Sequence, residues 1–168
     1  MANTRLTQAE LIAQLQARAK RRDRYNLILV AVPLATAHGD AERLAQALGA
    51  TYVDFDRELI ARMEADDWEY HVEAERAGDL SEGRRLAQIL AKDIGERLNR
   101  FHPVVVGNCN LVVRYQVDLA AALLDGSKRG LCVLCAGGRV QDGALYVHGT
   151  FKFVGAGTVP TLELAAEN

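Results

Sequence analysis

The sequence is poor in the features that tie a chain to a charged or apolar surface. Its 20 Lys and Arg against 22 Asp and Glu leave a net charge of -2, so no global basic field is available to hold nucleic acid. The three cysteines are an odd number, which does not suit a disulfide framework. The segment at Met1 is polar and lacks a signal-peptide pattern. The longest apolar runs are strand-sized, far below the ~20 residues of a membrane span. Repeats and low-complexity stretches are missing as well. These absences predict a cytoplasmic protein with reduced thiols and no membrane partner. With 168 residues, 49% hydrophobic and 25% charged, the chain has the length and composition of one globular domain spanning 1–168.

The elements follow from periodicity and punctuation. Leu6-Thr7-Gln8-Ala9-Glu10-Leu11 reads as a capping box with a hydrophobic staple. The helix it opens carries Leu11, Ile12 and Leu15 on one stripe and runs into a basic cluster, so 1–24 forms a capped helix with a basic run. Leu27–Val32 is continuously apolar, as in a buried parallel strand. Asp40 is expected to cap a helix over Ala41–Leu48, ended by Gly49. Thr51–Phe55 reads as a strand, with Asp56 capping the helix after it. Residues 64–80 are highly charged and poorly periodic and read as an insertion, with a helix as one form of it. Ser81 opens a long helix to about Asn99, with Leu86, Ile89, Leu90, Ile94 and Leu98 on one face. Val104–Val106 and Leu131–Cys135 are two more buried strands, with a helix over Val117–Leu124 between them, closed by Gly126. Ala144–Val147 and Phe151–Val154 read as late strands, the first reached through an Asp142-Gly143 turn. Strands alternating with helices predict an α/β domain with a mostly parallel sheet and an antiparallel C-terminal edge.

The segment "ILVAVPLATAHGDAERL" places a short loop between a buried strand and a helix. Phosphate-binding loops occupy that position, with the pattern G-x-x-x-x-G-K-[ST]. Their glycines let backbone amides close on the phosphates, the lysine neutralises charge, and the hydroxyl holds magnesium. Aligned on the strand end, the two glycines fall on Val32 and Ala37, the lysine on His38 and the hydroxyl on Gly39. None of the four is retained. Asp40 adds a carboxylate where an anionic ligand would sit. The other half of such a site is a magnesium-binding acid at the end of a buried strand. After Val104–Val106 the chain has Gly107-Asn108 instead. Both charge-handling elements are missing, so neither ATP nor magnesium is expected as a cofactor and no catalytic residue is assigned.

The order of strand, loop, helix, "TYVDFDREL", long helix, "VVVGNCNLV", helix and "LCVLCAGGRVQDGALYVHG" resembles BrxF, a family of small P-loop proteins of bacteriophage exclusion (BREX) systems. The resemblance covers about residues 25–153. Asn108 matches the second residue of the family's Asp-Asn strand end, and Gly107 replaces the Asp. The resemblance implies a three-layer P-loop-NTPase-like (RecA/AAA-like) core. It implies protein partners in a multi-subunit complex, such as an AAA+ ATPase, a phosphatase-like protein or a DNA methyltransferase of a defence system. DNA contact through that complex and homo-oligomerisation are compatible with it.

Other residues carry weaker signals. Cys132 and Cys135 have C-x-x-C spacing, but on a strand they face opposite ways and cannot share a metal. Cys109 follows Asn108 without a paired base, so a buried thiol competes with a nucleophile. His38, His71, His102 and His148 fit no metal spacing. Asp66-Asp67 and Glu73/Glu75 read as a solvated face unless a cleft gathers them. Gly155–Thr158 ("GAGT") reads as a turn. Arg18, Lys20, Arg21, Arg22 and Arg24 suit a helix C-terminus or a nucleic-acid or partner contact, and Lys128 and Arg129 join them as candidates. Arg84, Arg85, Arg97 and Arg100 mark the ends of the long helix. The reading reached is a non-catalytic scaffold or adaptor. A weak or composite-site nucleotide-binding ATPase subunit and a nucleic-acid-binding accessory protein stand as its alternatives.

Overall fold

The computed structural model describes residues 5–21, 23–99, 102–153 and 159–167. Its centre is a parallel sheet. The strands are β1 (Arg5–Leu6), β2 (Leu27–Val32), β3 (Thr51–Asp54), β4 (Val104–Gly107), β5 (Cys132–Gln141) and β8 (Thr161–Leu164). They lie in the order β1-β8-β2-β5-β4-β3, every neighbouring pair parallel. Leu29 pairs with both Leu134 of β5 and Thr161 of β8, which makes β2 a central strand. All six of its residues are buried, as a strand covered on both faces requires.

Helices divide between the two faces. Helices α1 (Gln8–Ala19) and α2 (Ala37–Leu48) cover the side reached by Ile28, Val30, Val105, Val133 and Cys135. Helices α3 (Phe55–Arg76), α4 (Ser81–Glu96), α5 (Leu111–Tyr115) and α6 (Leu119–Gly126) cover the side reached by Leu29, Ala31, Val106, Cys132 and Leu134. The alternation of faces along each strand thus fills two separate cores. Thr7 caps α1 as the sequence predicts: its hydroxyl accepts from Glu10 N–H at 3.3 Å, and Glu10 Oε2 accepts from Thr7 N–H at 2.8 Å.

Several expectations change. Helix α2 starts at Ala37, so Asp40 lies inside its first turn instead of capping it. Pro33, with φ -56°, leads directly into a 3-10 turn over Leu34–Thr36, and no open loop separates turn from helix. Asp54, not Asp56, caps α3, accepting from Arg57 N–H at 3.0 Å. The charged stretch 64–80 continues α3 to Arg76, so most of it is helical. A kink at Asp67 (φ -159°, ψ 92°) resets the helical phase, which hides the periodicity; Asp67 recaps the helix at Tyr70 N–H, 3.0 Å away. Helix α4 ends at Glu96, short of Asn99, and α6 begins at Leu119, with Asp118 accepting from Ala121 N–H at 3.1 Å.

The antiparallel part is also placed differently. Strand β5 runs six residues beyond Cys135 and pairs there with β6 (Ala144–Val147), which pairs with β7 (Phe151–Lys152). Asp142 and Gly143 (φ 50° and 77°) form the tight turn between β5 and β6. These strands extend the end of a central strand, whereas the sheet's outer strands, β1 and β3, are parallel to their neighbours. The chain then returns to the sheet as β8. Val154 and the Gly155–Thr158 turn lie outside the described residues.

Helices α4 and α6 cross at glycines. A Cβ on Gly126 would lie 2.5 Å from the carbonyl oxygen of Gly95. Backbone faces backbone there, so neither helix can yield by rotating a side chain. The Gly126→Ala variant should therefore lose about 2–3 kcal/mol, seen as a lower denaturant midpoint with an unchanged slope.

Candidate functional site

The carboxyl ends of β2, β3, β4 and β5 converge with the start of α2. In an open α/β sheet this is the end at which ligands bind. The loop-position residues behave as strand and helix residues. Val32 is the fully buried last residue of β2. Ala37, His38 and Gly39 form the first turn of α2. His38 Nδ1 lies 3.0 Å from the Tyr52 hydroxyl and its Nε2 lies 3.6 Å from Glu42. It is engaged with β3 and with its own helix.

Two glycines explain how close these parts come. A Cβ on Gly107 would lie 2.6 Å from Ala41 Cβ and 2.9 Å from Tyr52 Cε2. A Cβ on Gly137 of β5 would lie 2.8 Å from Leu34 Cδ1 and 3.3 Å from Ala37 Cβ. The turn and the first half of α2 thus rest directly on the ends of β4 and β5. Gly107 stands where the sequence pattern would place a metal-binding acid, and a side chain there would meet the Tyr52 ring and Ala41 of α2. Burial pushes the Tyr52 hydroxyl pKa well up, with Asp54 and Glu42 adding to the rise, so it stays protonated and can donate to His38.

Asp40 is 6% exposed and matched within its own turn. It accepts from the Thr36 hydroxyl at 2.6 Å and is paired with the Arg43 guanidinium. The pair lies in a cleft of about 430 Å³ with Thr7, Pro33 and Glu167. A neighbouring cleft of about 410 Å³ is lined by His38, Glu42, Tyr52, Asp54, Arg57 and Glu58. Three carboxylates against one arginine there disfavour an anionic ligand.

A polar network fills the other flank. Asn108 (φ 47°) donates to Asp54 Oδ1 at 2.8 Å. Asp56, 8% exposed, accepts from Asn110 N–H at 3.0 Å, Asn110 Nδ2 at 3.1 Å and Leu111 N–H at 2.9 Å. It caps α5 across space, 55 residues away in sequence. Asn110 Oδ1 lies 2.6 Å from His148 Nε2. Burial is the largest effect on Asp56 and raises its pKa, while the three donors pull it down. A raised folded-state value means that the carboxylate form costs stability, regained as the pH falls through that value.

The remaining candidates are structural. Cys132 and Cys135 lie in opposite cores and all three thiols are buried. Burial pushes Cys109 and Cys132 up to about 12, and Cys135 well above its usual value. Cys109 is thus a protonated core thiol, with Sγ 3.6 Å from the Cys135 carbonyl, and is no nucleophile. Among the described residues no group of three metal-ligating side chains gathers. Asp66 lies 3.1 Å from buried His71, and Glu75 holds Arg114 and the Tyr115 hydroxyl. Asp66 and Glu75 are thus each engaged with a side chain of another part of the fold or of their own helix. Arg84 donates to the Tyr115 carbonyl, Arg85 to Glu82, and Arg97 to Glu58.

The structure brings one candidate set together elsewhere. Lys20, Arg21, Lys128 and Arg129 share a groove at the amino ends of the strands, the far end of the sheet from α2's start. Arg18, half-buried, and exposed Arg24 flank it in sequence, and Arg22 and Arg100 lie outside the described residues. Tyr52, Gly137, Asp54 and Tyr25 escaped the sequence reading. The Gly137-Gly138 pair inside an apolar strand was the available signal for close backbone approach. No helix among the described residues is long and apolar enough to cross a membrane. The chain matches no family model, no curated protein and no solved structure.

Placing an acid at Gly107 tests this close packing. The Gly107→Asp variant should lose about 3 kcal/mol or more, because it forces α2 off the strand end and buries an unpaired carboxylate. The Gly39→Ala variant, whose Cβ meets only Arg43 Nη1 at 3.7 Å, should gain about 0.5–1 kcal/mol as an ordinary helix substitution. Thermal unfolding of both reads out the contrast.

Proposed function

We propose that this chain is a P-loop-derived, RecA/AAA-like α/β subunit that has exchanged nucleotide chemistry for structure and serves as a non-catalytic scaffold or adaptor. The observation that carries the reading is the occupation of the Gly107 side-chain space by Tyr52 and Ala41. A lost catalytic residue alone leaves a hole; here packed protein stands in its place. The strand order supports the descent. Strand β5 is inserted between β2, which leads into the loop position, and β4, which would carry the acid, as expected of a RecA/AAA-like core. The turn on Gly137 and the ion-paired Asp40 support the loss of ligand chemistry.

A fold relieved of its ligand still offers rigid helix faces for assembly. Trp68 and Tyr70, 46% and 50% exposed beside the α3 kink, are aromatic side chains of the kind enriched at protein interfaces. The similarity to BrxF suggests the setting: a cytoplasmic multiprotein anti-phage complex with an AAA+ ATPase or other defence subunits, in which DNA is contacted through the assembly.

Two measurements test this. Millimolar ATP or GTP with magnesium should leave the melting temperature unchanged, whereas a ligand at 100 times its Kd would stabilise by about 2.7 kcal/mol. A clear nucleotide-dependent shift would instead support the composite-site ATPase reading. Co-expression with the neighbouring genes should yield a stable complex. A monomer that captures none of their products sinks the adaptor reading.

A further inference from the structure

We propose that the groove at the amino ends of the strands is a binding site for single-stranded nucleic acid. This inference does not rest on P-loop descent, because the groove lies at the opposite end of the sheet from the start of α2. Two segments about a hundred residues apart build it. Asn26 N–H donates to the Ser127 carbonyl at 3.2 Å, and Cys132 N–H donates to the Asn26 carbonyl at 2.9 Å. These bonds fix the exit of α1 against the α6–β5 turn. The concavity between them, about 470 Å³, is lined by Lys20, Arg21, Lys128 and Arg129, with Asp23 as its one acidic lining residue. Among the described residues, neither the Lys20 ammonium nor the Arg21 guanidinium has an ion-pair partner. Arg129 spends one N–H on the Gly95 carbonyl at 3.4 Å, and Lys128 is held by exposed Asp125 at 2.8 Å.

An aromatic ring stands beside the groove, linked to it through Lys128. Tyr25, 39% exposed, has Arg24 Cζ and Lys128 Nζ each 5.4 Å from its ring centroid. Cations for phosphates beside an aromatic and a guanidinium plane for bases are the two recognition elements of single strands. A solvated helix end accounts for Arg18 and Lys20 but not for the convergence of the α6–β5 turn upon them. The charge distribution fits as well. Residues 64–80 hold seven acidic side chains against one arginine, so a net charge of -2 conceals a basic end.

The test is fluorescence anisotropy of the full chain with labelled 20-nucleotide dT and U strands and a 20-base-pair duplex. Both single strands should bind at 50 mM salt and weaken about 50-fold by 200 mM, as roughly four neutralised phosphates require. The tighter of the two identifies DNA or RNA as the source. Lys20→Glu with Arg21→Glu, and Lys128→Glu with Arg129→Glu, should each cost at least tenfold. Tyr25→Ala should cost about tenfold at either salt. Arg57→Glu with Lys152→Glu, an equal charge change elsewhere, should leave binding within a factor of about two to three, as a distant charge screened by salt should. Unchanged melting temperatures establish that the groove variants are folded. No binding at 50 mM salt overturns the proposal, as do tighter binding of the duplex and equal losses in the control. Self-association abolished by the Lys128/Arg129 variant, with no oligonucleotide bound, would assign the groove to the acidic α3 of a second copy and likewise overturn it.

Discussion

The arrangement depends on the seating of α2 on bare backbone at the ends of β4 and β5. Gly107 and Gly137 remove the side chains that would hold the helix away, and Ala41, Ala37 and Leu34 occupy the space. From this contact the rest follows. The turn after β2 must be short and helical, His38 must face Tyr52, and Asp40 must find its counter-charge within its own turn. A phosphate loop needs its backbone arched away from the sheet with amides converging on a ligand. Here the same backbone lies flat on it.

The packing at this end of the sheet is costly to undo, since any group placed at Gly107 would have to displace Tyr52 and Ala41. The buried Asp56, spanning α3 and α5, shows the same economy of polar groups. A carboxylate at the end of the sheet is used to satisfy backbone amides rather than to meet solvent or metal.

The sequence made the buried strands, the capping box and the Asp142-Gly143 turn readable, because each rests on a local rule. It also showed that the loop position lacked its working residues. What it hid depended on contacts across space. Asp54 and Asp56 both precede an apolar helix and either could cap it; only the reach of Asp56 to Leu111 separates their roles. The α3 kink at Asp67 shifts the helical phase and erases the periodicity of a real helix. Strand β8 carries Glu163 in its middle and follows Pro160, so it has no apolar run; the glutamate is buried because Arg5 and the Val140 N–H meet it. The close packing at Gly107 was hidden for the same reason, because Tyr52 reaches it from another strand.

Strand β8 also bears on how the chain reaches this state. It pairs with β2 across some 130 residues of intervening chain, and among the described residues β1 pairs with the sheet through it. Until residues 161–164 emerge from the ribosome, one edge of the fully apolar β2 has no strand beside it. Such long-range pairing slows folding, and an uncovered apolar edge invites pairing with other chains.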